Sequence, residues 1–209
     1  MRINYEPGFA IEKDVEVVIN SANNNLLLGT SGAGKIRELS SKLSFVETFN
    51  YWIMLKYLPR NMKKWYRESY KKHGWEVRKA QVSCLTLLLK NKGESYAIGS
   101  AILDVHTFKN KKIIHAVAMG YDTEKDKDRR IKATKNSLEE SLENSLALAQ
   151  VIKAKTIAVP IMCSRPDYGL NPKESLAITN KVLKKFDKAF DKVIVCLDND
   201  LTLKLKSKL

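Results

Sequence analysis

The stretch from Val17 to Ile36, VVINSANNNLLLGTSGAGKI, constrains this chain most. Val17, Val18 and Ile19 form a short β-branched run of the kind that fills a buried strand. The run ends in Asn20, Ser21, Ala22, Asn23, Asn24 and Asn25. Three leucines follow, then a loop carrying Gly29, Gly32 and Gly34, then a charged segment with helical spacing from Lys35. Strand, asparagine-rich turn, glycine-rich loop and helix therefore succeed one another. Glycine lets the backbone approach a ligand closely, and amides at a helix start attract anions. The carboxamide of Asn23 can both donate and accept, which suits sugar hydroxyls. Gly29, Ser31, Gly32, Ala33 and Gly34 are accordingly candidate contacts for a phosphorylated sugar or a nucleotide. The stretch matches neither G-x-G-x-x-G nor G-x-x-x-x-G-K-[ST], and a plain strand-to-helix connection has the same outward form.

The rest of the chain alternates strands with helices. Met1–Tyr5 reads as a strand broken by Pro7-Gly8. Leu39, Leu43, Val46, Ile53 and Tyr57 lie near one face of a helix over Ser40–Tyr57, which Pro59 ends. Asn61 as N-cap and Gly74 as stop frame a helix over Met62–His73. Trp75–Lys90 reads as a further helix, stopped by Asn91-Lys92-Gly93. Strands are expected over Ala97–Asp104 and Lys111–Met119, with a turn at Lys109-Asn110, then a charged surface loop over Tyr121–Arg130. Leu138, Leu142, Leu146 and Ala149 mark an amphipathic helix within Ile131–Ala154. Thr156–Met162 is a buried strand. Asn171, Pro172 and Glu174 stand as N-cap, first helical residue and N3 of a helix to about Lys188. Lys192–Leu197 is a last core strand, and Leu201–Leu209 a basic tail. Such alternation predicts a three-layer α/β/α sandwich around a central sheet.

With 209 residues, of which 44% are hydrophobic, the chain can bury a sizeable core. Its formal charge of +14 favours anionic partners: nucleotides, nucleic acid or an acidic surface. Cys84, Cys163 and Cys196 are odd in number and lack metal-ligand spacing. Reduced, buried thiols and a cytoplasmic protein are therefore expected. The start, MRINYEPGF, does not read as a signal peptide, and no apolar run reaches the length of a membrane span. His106 and His115 have no second ligand at metal spacing, so neither a metal nor a cofactor is expected.

Three ordered stretches resemble the macro domain family. Ile19-Asn20-Ser21-Ala22-Asn23 and Gly29–Ile36 are similar to its VNAAN strand end and first glycine-rich loop. KKIIHAVAMG, from Lys111 to Gly120, is similar to its VIHAV strand, and TIAVPIM, from Thr156 to Met162, to the strand that enters its second ligand loop. The resemblance implies one macro-like domain over 1–209, an α/β/α sandwich with a mixed sheet, and a helical, basic insertion over 37–95. It implies a ligand such as ADP-ribose, held by Asn20, Asn23 and the glycine loop on one side. On the other side would stand Cys163, Ser164, Arg165, Tyr168 and Gly169 of the loop after Pro160. Phe9, followed by Ala10, stands where the family has an aspartate that reads the adenine amino group; Phe9 either stacks on a base or packs in the core. Arg165 and Pro166 stand near the first glycine of the second loop, where Arg165 either forks onto phosphate or blocks the cleft. The implied structural role of His115 is a buried, hydrogen-bonded one.

Catalysis has weaker support. Gly29–Ile36 contains no acid, although one hydrolytic group of the family uses an aspartate in that loop. Cys163 has no matching histidine motif to activate it, and Asp167 is a base candidate without a motif. The insertion raises another possibility. From Lys56 to Lys79 it holds nine Lys/Arg against two Glu, with Trp52, Trp65 and Trp75 nearby. Lys63, Lys64, Arg67, Lys71 and Lys72 would form a phosphate-tracking face, with Trp65 stacking on a base; solvated basic faces with aromatics packed inward account for the same pattern. Three functions therefore stand side by side: binding of ADP-ribose or a related nucleotide, hydrolysis of such a ligand, and nucleic-acid binding on the same fold.

Overall fold

The computed structural model describes residues 1–124 and 129–197. The expected basic tail, Leu201–Leu209, lies outside the described residues. Strands β1 (Arg2–Pro7), β7 (Lys192–Leu197), β6 (Thr156–Pro160), β2 (Val17–Asn23) and β4 (Lys111–Asp122) run parallel in that spatial order. Two antiparallel partners of β4, β3 (Ala101–Phe108) and β5 (Arg129–Ile131), make the sheet mixed.

Period-two alternation sends side chains to two apolar layers. On β4, Ile113 and Val117 enter one layer while Ile114, Ala116 and Ala118 enter the other. On β7, Ile194 and Cys196 oppose Val193, Val195 and Leu197 in the same way. Helices α5 (Lys135–Val151) and α6 (Pro172–Lys185) cover the second layer through Leu138, Leu142, Leu146, Leu176, Val182 and Leu183. The first layer is covered by α1 (Ser31–Leu39), α2 (Phe45–Met54), α3 (Arg60–His73) and α4 (Lys79–Lys90), all from the segment between β2 and β3. Fully burying one such aliphatic side chain contributes roughly 1.5–3 kcal/mol. The three-layer α/β/α architecture is thus the one the alternation predicts.

Several boundaries differ from the sequence expectations. Strand β2 does not stop at Ile19 but continues to Asn23, because its backbone pairs with β4 along that whole length. Helix α1 starts at Ser31 rather than Lys35, so Gly32 and Gly34 sit in its first turns. Residues 40–44 are not helical: Ser44 and Glu47 form a reciprocal capping box that starts α2, and Lys42 bridges to Arg78 instead. Asn61 is no N-cap, since α3 begins at Arg60 after Pro59. Its C-cap, Gly74, has φ +61, the left-handed conformation expected there. The strand expected over Ala97–Asp104 is displaced to Ala101–Phe108. The expected surface loop from Tyr121 is strand as far as Asp122 and again from Arg129. Thr134, through a capping box with Ser137, starts α5 later than expected, and Pro160 ends β6 earlier. The Asn171–Glu174 box and Lys192–Leu197 stand as expected.

Candidate functional site

A cleft of about 310 Å³ opens at the carboxyl ends of β2 and β6, the place where open α/β sheets bind ligands. One wall is the glycine-rich loop and the start of α1. Thr30 is the N-cap but no side chain caps the helix, and the first turn holds no acid. The amides of residues 31 to 33 precede the first intrahelical bond, Gly34 N to Thr30 O at 3.3 Å, so this turn presents donors and the positive end of a helix dipole. Ser31 holds φ +58, a strained backbone for a non-glycine residue of the sort found at ligand loops. Gly32 has no atom within 4 Å of where a Cβ would stand, whereas a Cβ on Gly34 would meet the Gly29 carbonyl oxygen at 2.7 Å. Gly34 therefore serves loop packing rather than lining the cleft.

The loop is held from below by the helical segment. The Asn23 carboxamide lines the cleft yet is engaged locally: its oxygen accepts from Asn25 N and Leu27 N, and its nitrogen donates to Leu27 O at 2.8 Å. Gln81 of α4, fully buried, accepts from Leu28 N at 2.8 Å and donates to Leu26 O at 3.3 Å. Tyr66 of α3 donates its hydroxyl to Asn25 O. Arg37 is buried and donates through Nη1 to Leu28 O (2.6 Å) and Gly29 O (3.0 Å). Its guanidinium lies 4.2 Å from the Trp75 ring centroid, and His73 stacks on the same indole at 4.4 Å. Burial lowers the Arg37 pKa, partly offset by Tyr70 and Glu38. Gln81, Arg37 and Tyr66 were not legible as loop supports, because nothing local in a sequence signals a partner 53 residues away.

The opposite wall is the loop after Pro160. Cys163, Ser164, Arg165 and Tyr168 line the cleft. The Tyr168 and Gly169 amides both donate to Arg165 O, at 2.8 and 3.1 Å. That turn takes up two of the loop's amides, so they do not point at a ligand in the cleft. Gly169, at φ +119, is not on the cleft wall; a Cβ there would lie 2.2 Å from Ala133 O. Arg165 is exposed at the rim rather than filling the cleft. Cys163 is 5% exposed, and burial pushes its thiol up to about 12, so it is not a thiolate at neutral pH. Asp167 is paired with Arg130 at 2.7 Å and does not line the cleft.

Phe9, Ala10 and Asn20 close the floor. Lys35 Nζ stands 5.6 Å over the Phe9 ring, so one face of that ring already carries a cation. The helical segment adds a wall that the sequence did not show: Trp65, Ser69, Lys72, His73 and Trp75 all reach the cleft, joined by Tyr121 and Arg130. Trp65 is 7% exposed and packs on Tyr66 and Tyr121, with centroids 5.5 and 5.1 Å away. Of the two readings of this segment, Trp65 stacking on a base beside Lys63, Lys64, Arg67, Lys71 and Lys72 or aromatics packed inward, the buried Trp65 fits the second: α3 turns its aromatics inward because they form its apolar face. Arg130 Cζ lies 4.8 Å from the Tyr168 ring centroid and 5.6 Å from that of Tyr121. Among the described residues the lining contains Lys72, Arg130 and Arg165 and no Asp or Glu.

His115 lies away from the cleft, 1% exposed, with Nδ1 3.0 Å from Asn20 Nδ2 and Nε2 3.4 Å from Asp104 Oδ2. It is buried and hydrogen-bonded, as the resemblance implies. No spacing in the sequence marks its neighbours: Asp104 and Cys84 come from β3 and α4, and their donor atoms and the His115 ring nitrogen all lie within 4.8 Å of one another.

The family model described as Macro domain matches residues 70–179. The match starts inside α3, leaving β2 and the glycine-rich loop outside it. Superposition covers them. The chain matches the Oceanobacillus iheyensis macrodomain with MES bound at a TM-score of 0.64 and 18% identity, over 96% of this chain and 86% of that one. It matches the same organism's macrodomain with ADP at 0.59 and 20%, over 97% and 90%. The Trypanosoma brucei macrodomain in complex with ADP-ribose matches at 0.60 and 15%, over 99% of this chain and 68% of that one. Comparison of the sequence with curated proteins returned no match.

Proposed function

The chain belongs to the macro domain family, and from that membership we propose that it binds ADP-ribose or a related phosphorylated nucleotide in the cleft between α1 and the loop after Pro160. The observation that carries this is the charge of the cleft wall. Lys72, Arg130 and Arg165 line it beside the first turn of α1, without an Asp or Glu among the described lining residues. Such a wall suits a diphosphate. The volume of about 310 Å³ falls at the lower end of small-molecule sites. The structural relatives with ADP and with ADP-ribose support the same ligand class.

Binding is favoured over hydrolysis by the same wall. General acid–base chemistry needs a titratable group within hydrogen-bond reach of the reacting atoms. Of the two candidates read from the sequence, Cys163 is held as a thiol and Asp167 is paired outside the lining, while His73, which does line the cleft, is stacked on the Trp75 indole at 4.4 Å. Nucleic-acid binding loses its stacking residue, since Trp65 is buried. Phe9 cannot accept a hydrogen bond from an adenine amino group, so discrimination between adenine and other purines is expected to be weak.

Titration calorimetry with ADP-ribose tests the proposal. One ligand per chain is expected. Gly32→Glu projects a carboxylate from a position with free space around its Cβ and is expected to abolish binding without lowering Tm. Lys72→Ala is expected to weaken binding by about 0.5–1 kcal/mol at low salt and less at high salt. Equal affinity of wild type and Gly32→Glu would refute this cleft as the site.

A further inference from the structure

From the buried cluster of Cys84, Asp104 and His115 we infer a metal site, of the kind that holds zinc, between α4 and the edge of the sheet. The three side chains come from α4, β3 and β4 and are 0%, 3% and 1% exposed. His115 Nε2 lies 3.8 Å from Cys84 Sγ and 3.4 Å from Asp104 Oδ2. Zinc bonds of about 2.3 Å to sulfur and about 2.0–2.2 Å to nitrogen and oxygen, set at tetrahedral angles, require edges of about 3.6 Å for S···N and about 3.3–3.4 Å for N···O. The two edges that meet at His115 Nε2 match to within a few tenths of an ångström. All three donor atoms lie within 4.8 Å of one another, so one ion reaches all three, and they supply three of its four tetrahedral positions.

The surroundings orient each ligand. The Ser83 hydroxyl and the His106 amide, the latter at 3.0 Å, both donate to Asp104 Oδ1. The other oxygen, Oδ2, is left facing the cluster. Behind the imidazole, the Asn20 carboxamide lies 3.0 Å from Nδ1. With its oxygen turned to the ring, Asn20 accepts from Nδ1–H, which leaves the Nε2 lone pair for the ion; with its nitrogen there, Nε2 carries the proton and donates to Asp104. Oxygen and nitrogen of a carboxamide exchange by a half-turn, so the same cage serves both states. Outer partners of this kind fix the tautomer and aim of metal-bound histidine and carboxylate.

The charge also balances. Zinc uptake releases the Cys84 thiol proton to solvent and moves the His115 proton from Nε2 to Nδ1. Thiolate and carboxylate then carry two negative charges against the two positive charges of the ion. A thiolate ligand disfavours magnesium and calcium and suits zinc. The ion would tie α4 to β3 and β4. Since α4 also holds the glycine-rich loop through Gln81, metal occupancy would stiffen one wall of the cleft from outside it.

Because the site is closed, the ion enters as the chain folds, and the test is refolding. Full-length chain is unfolded in chelator, then refolded with zinc, with cobalt, or with chelator alone, and desalted. About one zinc per chain by elemental analysis is expected, with a higher Tm than the chelator-refolded protein. Cobalt is expected to give a thiolate-to-cobalt charge-transfer band that Cys84→Ser removes. His106→Asn, at an exposed neighbour whose amide rather than ring serves the cluster, should keep the band and controls for surface binding. A refolded wild-type chain that takes up neither ion, with Tm unmoved by zinc, would overturn the assignment and leave a hydrogen-bonded trio. Metal retained in equal amount by Cys84→Ser would overturn it as well.

Discussion

The guanidinium of Arg37 lies 4.2 Å from the ring centroid of Trp75, and the pair joins the glycine-rich loop to the segment that follows α3. Arg37 uses this position to hold two carbonyls of the loop, Leu28 O and Gly29 O. Among the described residues no carboxylate pairs with this buried cation; carbonyl oxygens and an aromatic face replace part of its hydration.

Arg37→Met keeps much of the stem but removes both donors. Hydrogen bonds to charged groups contribute about 1.5–3 kcal/mol, and buried carbonyls left unpaired cost about as much. A loss of about 2–4 kcal/mol is expected in urea unfolding, with the m-value unchanged. A midpoint equal to wild type would show that the two carbonyls find other partners.

Gly32 and Gly34 occupy the same helix and are expected to respond with opposite signs. Gly32→Ala enters free space and should raise stability by up to about 1 kcal/mol through helix propensity. Gly34→Ala brings a Cβ within 2.7 Å of Gly29 O and should cost about 1–3 kcal/mol net, as overpacking does. Thermal unfolding of the two variants decides; a gain in both would mean that the loop yields freely.

Cys163 has a folded-state pKa pushed up to about 12 by burial, well above the ordinary thiol value. Its stabilising share is therefore fully present below the unfolded-state value near about 8.5 and is lost as pH rises from there towards the folded-state value. Cys163→Ala removes that titration and keeps a small side chain. Between about pH 9 and 11, wild type should lose stability relative to Cys163→Ala by about 1.4 kcal/mol per pH unit. Parallel stability curves for the two proteins would contradict a buried thiol at this position.

Helix α2 shows how differently two faces of one element respond. Tyr51 is fully buried, edge-on to Tyr70 with centroids 6.3 Å apart, while Phe49, two residues earlier, is 59% exposed. Tyr51→Ala is expected to cost about 3–5 kcal/mol, as large-to-small changes of buried aromatics do. Phe49→Ser should stay within about 0.5 kcal/mol. Chemical denaturation of each variant checks the contrast, and a large loss in Phe49→Ser would place an unseen partner on that face.

Elements whose signal spans a few residues are legible in the sequence. The Asn171–Glu174 capping box and the apolar run of Lys192–Leu197 are local, and both elements stand where expected. At Ser40–Tyr57 the apolar spacing runs past the helix start, which Ser44 and Glu47 mark. At the cleft, Gly29, Ser31–Ala33 and Cys163–Arg165 were legible because they follow strands, and Asn20 and Asn23 because they stand where the apolar run of β2 gives way to polar residues. Gly34 and Gly169 were read as ligand contacts, but neither lines the cleft: each is a glycine because a Cβ would meet Gly29 O or Ala133 O.

By itself, then, the sequence determined the alternation of strands and helices, two loops at strand ends and a strongly basic chain, because periodicity, caps and charge are properties of short windows. Only the tertiary structure decided that α3 turns Trp65 into the cleft, that Arg37 and Gln81 hold the loop, and that Cys84, Asp104 and His115 meet. Those contacts join residues far apart in the chain. Which of many chemically equivalent partners meet across such distances is set by how layers pack on the sheet, and no local pattern encodes that choice.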